Sequence, residues 1–473
     1  MDFPDYLGEP ATLPGRQELP RPRWIRHWPH SEWLAVSAVC LGAATSQIDN
    51  GVVTVAYPHL VKEMHRPLSQ VVWIGLVSFV VLVATLLLFG RRADALGRKK
   101  IYVNGFVTFL TGSVLSVIVA HHFALLLVTR GIGALGVAMI QANSVALVTA
   151  SVREHHRTTA LGIQAAAQAI GLAVGPFFGS ILIAHIPWRF IFIVSAPMTL
   201  LSFIASVMFL PRTRNVIEPA KLDIAGSVAL ALSAGGVLGG LTLAAKVGWS
   251  SNTLGMVLFG CVALIALIGV ERRASAPIFE PRLFRLRHVR VSIALLVMSY
   301  VTFFGLLVAI PFFVTKDFNA SARRAAEVTI AIPFGLATIA PLSGRLRSRY
   351  SGRFLVILAT VVLAVAVAVM AIAPNGKVVA AMLVVVGLAI GVLNTTNNAS
   401  VMSGVALEDR GLASGTVNLA RAAGSALGMA LATSVIVLLD RWNATSFRWS
   451  VAILLLPTVV AYVVAVALFR DDR

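Results

Sequence analysis

Charge is scarce in this chain. Asp, Glu, Lys and Arg supply 12% of its 473 residues, 58% of the residues are hydrophobic and the mean hydropathy is +0.86; a soluble protein carries about twice that charge. This composition excludes an ordinary water-soluble domain and points to a bilayer. Acids are scarcer than bases, 20 against 39, for a formal net charge of +19. In a soluble protein that excess would suggest nucleic acid, but in a polytopic one it first asks whether Lys and Arg gather in alternate loops. Cysteine is nearly missing. Cys40 and Cys261 both lie inside apolar runs, so no disulfide framework exists and nothing indicates a large oxidising ectodomain. The chain also has no G-x-x-x-x-G-K-[ST] phosphate loop, which argues against a nucleotide-driven pump. Its loops hold no nucleophile with a base, no metal-ligand cluster and no carboxylate pair, the groups a polytopic enzyme such as an acyltransferase would need. No cofactor and no metal are expected.

What the chain does have is a long series of apolar runs. Residues 1–32 form a polar tail with four Arg and no signal-peptide core, expected to stay in the cytoplasm. At about 20 apolar residues per crossing, six segments follow within 33–210, two within 211–288 with their cytoplasmic linkers, and six within 289–469, before a short tail at 470–473. The fold class is therefore an all-α polytopic membrane protein of fourteen helices arranged six plus two plus six. The tails and even-numbered loops hold 27 of the 39 Lys and Arg and the odd-numbered loops 10, which puts both termini in the cytoplasm. The two cations left over, Arg130 and Arg421, fall inside helices 4 and 13.

The chain also repeats itself. Shifted by 253 residues, Ala160–Gly175 overlies Ala413–Gly428 with seven of sixteen positions identical, among them Gly162/Gly415, Gly171/Gly424 and Gly175/Gly428. A shift of 254 lays the cationic loop Gly90–Lys99 over Gly344–Arg353. Parallel six-helix halves around a central site are a known transporter architecture.

The loop between helices 2 and 3, Gly90-Arg-Arg-Ala-Asp-Ala-Leu-Gly-Arg-Lys-Lys100, resembles motif A of the major facilitator superfamily, G-x-x-x-D-x-x-G-R-[RK]. The resemblance implies a cytoplasmic latch in the outward-open state, with Gly90 and Gly97 shaping the turn, Asp94 facing a helix N-terminus and Arg98 pairing with a carboxylate across the interface. A plain positive-inside anchor would explain the same charges. The second copy has Ser348 and Ser351 in place of the acid and the second glycine, so such a latch would be asymmetric.

Helix 5 carries Gly171-Leu-Ala-Val-Gly-Pro-Phe-Phe-Gly-Ser180, similar to motif C, G-x-x-x-G-P-x-x-G-G, found in proton-coupled exporters of the superfamily. Gly171, Gly175 and Gly179 permit close helix packing and Pro176 removes a backbone hydrogen bond, which makes this helix the expected antiporter hinge. In helix 1, Ile48-Asp-Asn-Gly-Val-Val-Thr-Val-Ala-Tyr-Pro58 resembles a signature of the fourteen-helix drug/proton antiporter (EmrB/QacA-like) branch. Asp49 and Pro58 match it, whereas Gly51, Thr54 and Tyr57 depart from it. Further stretches similar to that branch are Trp188-Arg-Phe-Ile-Phe-Ile-Val-Ser-Ala-Pro197 and Leu222-Asp-Ile-Ala-Gly226.

A carboxylate within a span is costly and burial favours its neutral form, so Asp49 is the candidate proton carrier; a permanent ion pair with Arg130 is the competing reading. Arg130 opens a stretch resembling motif B, R-x-x-Q-G-x-G, with Gly133 in place of the Gln; only the Arg is carried over, as modulator of the acid or acceptor of substrate charge. Arg421 closes Gly411-Leu-Ala-Ser-Gly-Thr-Val-Asn-Leu-Ala-Arg421, similar to a segment of the same branch, and Asn418 lies three residues earlier on the same face. Five successive polar residues, Asn394 to Asn398, mark helix 12 as facing water or another helix. The expected substrate cavity is lined by Gln141, Asn143, Gln164 and Gln168 in the first half and by Tyr300, Asn394, Asn397, Asn398, Asn418 and Arg421 in the second, with Phe303 and Phe304 as further candidates for stacking.

Together these residues imply a multi-pass inner-membrane transporter that exports small organic compounds in exchange for protons, the coupling ion. Proton-coupled uptake of a metabolite and a non-transporting receptor or scaffold are the alternatives. Expected partners are the small-molecule substrate and the lipid bilayer, with a periplasmic adaptor protein as a further candidate; no nucleic acid is expected, and the monomer is the expected working unit. Two arginines against one acid favour neutral or anionic substrates over dications.

Overall fold

The computed structural model describes residues 16–19, 31–153, 156–215, 224–273, 284, 286–317, 322–372, 376–403, 410–441 and 446–468. Asp223 and His155 lie outside them, as does most of the amino-terminal tail. Among the described residues fourteen helices of fourteen residues or more follow one another: α1 (Ser31–Glu63), α2 (Trp73–Leu96, led in by a single helical turn at Leu68–Val71), α3 (Arg98–Ile118), α4 (Phe123–Ser151), α5 (Arg157–His185), α6 (Ala196–Phe209, preceded by a 3-10 turn at Trp188–Ile193), α7 (Ile224–Val247), α8 (Ser251–Arg273), α9 (Arg287–Asp317), α10 (Ala322–Arg349), α11 (Gly352–Ala371), α12 (Gly376–Ser403), α13 (Arg410–Arg441) and α14 (Ser446–Leu468). Among the described residues nine helices are long and apolar enough to cross a membrane, and α8, α10 and α14 hold shorter apolar stretches.

Many of these helices are apolar on every face, the mark of a segment with no water on any side. Leu258, Phe259, Val262 and Ile265 on α8 and Leu456 on α14 are more than half exposed, surface that lipid would cover. The tail adds something that composition did not suggest. Arg16–Leu19 (β1) pairs antiparallel with Arg212–Asn215 (β2), the stretch just after α6.

Helices of the first half pack mainly on one another, α1 on α5 and α3 on α4, and those of the second half likewise, α9 on α13 and α10 on α12. The halves meet where α2 lies against α13, α5 against α10 and α1 against α9. Close packing repeats at the sequence interval of 253. A Cβ on Gly171 would lie 2.4 Å from the Ala44 carbonyl oxygen and one on Gly175 would lie 2.6 Å from that of Ile48; on Gly424 and Gly428 it would meet the carbonyl oxygens of Val297 and Val301 at 2.6 and 2.3 Å. Val297 and Val301 stand 253 positions after Ala44 and Ile48. The α1/α5 contact and the α9/α13 contact are thus the same contact made twice. Gly175→Ala and Gly428→Ala are each expected to destabilise the protein by about 1–3 kcal/mol, because backbone atoms must give way. Gly90→Ala should change little, since nothing lies within 4 Å of a Cβ there; thermal unfolding of the three variants in detergent checks the contrast.

Helices α7 and α8, the two that fall within 211–288, pack tightly together through Gly236, Gly240 and Gly260. Yet α7 is not remote from the two halves. Trp73 Nε1 of α2 donates to Thr242 Oγ1 at 3.3 Å, and Ser434 Oγ of α13 donates to the Leu241 carbonyl at 3.1 Å. One helix thereby holds on to both halves beside the seam they share.

Candidate functional site

Helix α1 turns two faces to the protein. Ala44, Ile48 and Val52 meet the glycine face of α5, and Gly51 leaves room for the Pro176 ring, whose Cδ would lie 2.7 Å from a Cβ at that position. Gly51 and Pro176 thus pack with no room for a side chain between them. Tyr57 has a similar account: it is fully buried, and its hydroxyl fills the space above Gly75 of α2. Asp49, one residue past Ile48, is rotated away from α5 and reaches α4.

There Arg130 meets it. Nη1 donates to Oδ1 at 3.0 Å and Nη2 to Oδ2 at 2.7 Å, a bidentate pair with both side chains about 95% buried. The guanidinium also makes longer contacts to α2, Nε to the Ile74 carbonyl at 3.4 Å and Nη2 to Ser78 Oγ at 3.5 Å, and lies 5.6 Å from the centre of the Phe192 ring. Beside the pair is a pocket walled by Asn50, Ser78, Phe79, Phe109 and Gly133, with room for about one water molecule. Gly133 replaces the motif's Gln, and a Cβ added to it would touch nothing nearer than 3.8 Å; the missing side chain leaves space in the wall. Sequence reasoning named Asp49 and Arg130 but passed over Ser78, Phe79 and Phe192. Ser78 left a signal, as one of two hydroxyls in the apolar run 73–89.

A second cluster forms in the other half. Arg421 of α13 donates from Nη1 to Asn418 Oδ1 at 3.2 Å and from Nη2 to Asn394 Oδ1 of α12 at 2.8 Å. Asn394 Nδ2 in turn donates to the Tyr300 hydroxyl of α9 at 3.1 Å, and the guanidinium lies 6.0 Å from the centre of the Tyr300 ring. Tyr300, Asn394, Asn418 and Arg421 are therefore brought together as the polar pattern suggested. Asn397, one turn beyond Asn394, is fully buried with neither amide atom hydrogen-bonded, and Asn398 Oδ1 is buried without a partner. Phe303 and Phe304 are buried in the core rather than presented to a ligand, because α9 packs that face against its neighbours.

The clusters are connected by rings. Phe79, in the wall of the Asp49 pocket, meets Phe304 edge-on at 5.2 Å; Phe304 stacks on Tyr300 at 6.3 Å. The remaining polar candidates of the first half join neither cluster by hydrogen bonds. Asn143 Nδ2 donates to the Met139 carbonyl of its own helix. Gln164 is 2% exposed with its amide nitrogen unpartnered, and Gln141 and Gln168 are half-buried.

At the expected latch, Gly97 adopts φ 98°, ψ 124° at the junction of α2 and α3, a left-handed-side backbone that a glycine accepts without strain. Gly90 instead sits within α2 in open space, so it serves neither turn nor close approach. Lys99 Nζ donates to the carbonyls of Val207 and Leu210 at 2.8 and 2.7 Å, a cation on the C-terminal end of α6. Arg98 begins α3, and the Asp94 side chain lies outside the described residues. Helix α5 runs unbroken through Pro176.

The model of the Major Facilitator Superfamily matches residues 39–224, 224–429 and 292–473. The chain is 25% identical over 406 residues to riboflavin transporter RibZ of Clostridioides difficile (85% of this chain, 88% of that protein) and 28% identical over 422 residues to multidrug resistance protein Stp of Mycobacterium tuberculosis (86% and 76%). Among solved structures, a D-xylose-proton symporter superposes with a TM-score of 0.68 at 14% identity, covering 93% of this chain and 98% of that one, a likeness of fold. With matches running through both halves, the chain belongs to the Major Facilitator Superfamily and is a multi-span membrane transporter.

Proposed function

We propose that this chain is a fourteen-span exporter of small organic compounds, driven by proton antiport, of the EmrB/QacA-like branch of its superfamily. The observation that carries the reading is the Asp49–Arg130 pair: a carboxylate buried between two helices of the first half and bonded to a guanidinium that gains a free charge whenever the acid takes a proton. Protonation of Asp49 breaks a bidentate bond, and with it a tie between α1 and α4; deprotonation restores it. That coupling of a proton to a helix contact is what an alternating transporter requires. Gly171, Gly175 and Gly179, packed on the same helix that carries Asp49, make α5 the hinge beside it, and the Gly97 turn with Arg98 and Asp94 the cytoplasmic latch.

The second cluster, with Asn394, Asn397, Asn398, Asn418, Tyr300 and Arg421, is the substrate wall, opposed by Gln141, Asn143, Gln164 and Gln168. Export in place of uptake rests on the Gly-Pro hinge motif and on the relative named for multidrug resistance. The two halves span residues 33–210 and 289–469 with α7 and α8 inserted between them, both termini face the cytoplasm of an inner membrane, and the protein works as a monomer, with a periplasmic adaptor as a candidate partner. No cofactor is needed.

The test is efflux of cationic, neutral and anionic drugs from cells expressing the protein, with and without an uncoupler of the proton gradient. Efflux above the vector control that the uncoupler abolishes is the expected result. Accumulation in place of efflux would reverse the direction, and efflux indifferent to the uncoupler would end the proton reading.

A further inference from the structure

Arg130 is buried and Arg421 half-buried, and the two are not in the same electrical condition. Arg130 is neutralised by Asp49, whereas Arg421 has no carboxylate within salt-bridge distance among the described residues. Its neighbours are amides, which accept two of its five N–H donors, and its Nε is buried with no acceptor. A cation partly withdrawn from water without a counter-charge carries a cost, and a buried Nε without a partner calls for an explanation.

The surroundings share the deficit. Asn397, fully buried one turn from Asn394, leaves a donor and an acceptor unused. The Tyr300 hydroxyl accepts from Asn394 Nδ2, so its own proton remains to be donated. Spare donors around an uncompensated positive charge are what an oxyanion would satisfy.

Position sharpens the point. The residues 253 places before Tyr300, Asn394 and Arg421 are Gln47, Gln141 and Gln168. The repeat thus sets three neutral glutamines where the second half has a phenol, an amide and a guanidinium. At these equivalent positions only the second half carries a charge, and a stabilising role common to both halves does not account for it.

We infer that Arg421, Asn397 and the Tyr300 hydroxyl form the binding site for the carboxylate of an organic monoanion, whose apolar body lies beside the Tyr300 ring. The inference rests on the export reading above and narrows its substrate class. Arg421 supplies the charge, Asn394 and Asn418 hold the guanidinium in place, and Asn397 adds an amide donor.

The experiment uses the full-length protein in lipid nanodiscs with no gradient, and measures binding of 2-naphthoate, of its neutral amide 2-naphthamide and of 2-naphthylmethylammonium by calorimetry. Naphthoate is expected to bind about tenfold or more tightly than either other probe, the usual scale of a charge-assisted buried bond. Arg421→Gln should remove that preference and Arg421→Lys should keep part of it. Naphthoate binding no better than the amide in the unaltered protein overturns the inference without recourse to any variant, and so does a preference that survives Arg421→Gln in folded protein. Because no gradient is present, the two readings fail separately. Naphthoate binding without proton exchange in vesicles would sink antiport and leave the site, whereas proton exchange for drugs that naphthoate does not match would sink the site and leave antiport.

Discussion

Asp49→Asn is expected to stop proton-driven transport altogether while the protein still folds, and to lower its stability markedly. Two causes act together. The amide cannot carry the proton, so accumulation driven by a pH gradient should fall to the background of empty vesicles. The substitution also leaves the Arg130 guanidinium about 95% buried and without its carboxylate, a loss on the order of 3–5 kcal/mol for a broken buried pair. Substitution of both partners, Asp49→Asn with Arg130→Gln, removes the uncompensated charge and should recover much of that stability without recovering transport. Proteoliposome uptake measured beside thermal unfolding separates the two effects. A double variant that transports would mean that protons travel by another residue, and an Asp49→Asn protein as stable as the parent would mean that the pair contributes nothing to folding.

The second large effect is electrical. If one proton enters for each monoanion that leaves, two positive charges move inward per cycle, worth together about 4.6 kcal/mol at 100 mV from the 2.3 kcal/mol that each charge draws. That is on the order of a thousandfold gradient at equilibrium. A neutral substrate would draw half the free energy and a monocation none. Liposomes holding the protein, clamped by a potassium gradient with valinomycin at equal pH on both sides, should therefore build a naphthoate gradient from voltage alone. Voltage without effect on naphthoate, or with equal effect on naphthylmethylammonium, would contradict the charge count.

The all-helical fold was written plainly in the chain because nearly every helix is an apolar run ended by charge or proline. Arg130 and Arg421 were legible for a similar reason: a charge inside a span has few cheap explanations. The Asn394–Asn398 run disclosed a polar face but not its division, in which Asn394 bonds Arg421 while Asn397 bonds nothing. Contacts between distant apolar residues left no trace at all. Nothing periodic announces that Phe79 meets Phe304, or that Gly75 makes room for Tyr57, since each is one hydrophobic or small residue among many. The hold of α7 on Trp73 and Ser434 was equally hidden, because a lone Thr and a carbonyl carry no pattern.

That hold gives the molecule a front and a back as seen from the lipid. With α7 astride the α2/α13 seam, acyl chains are kept from one of the two flanks where the halves meet, while among the described residues no inserted helix lies over the opposite flank, at α5 and α10. Seen from the leaflet, the seam between the halves is thus covered by an inserted helix at α2/α13 and not at α5/α10 among the described residues.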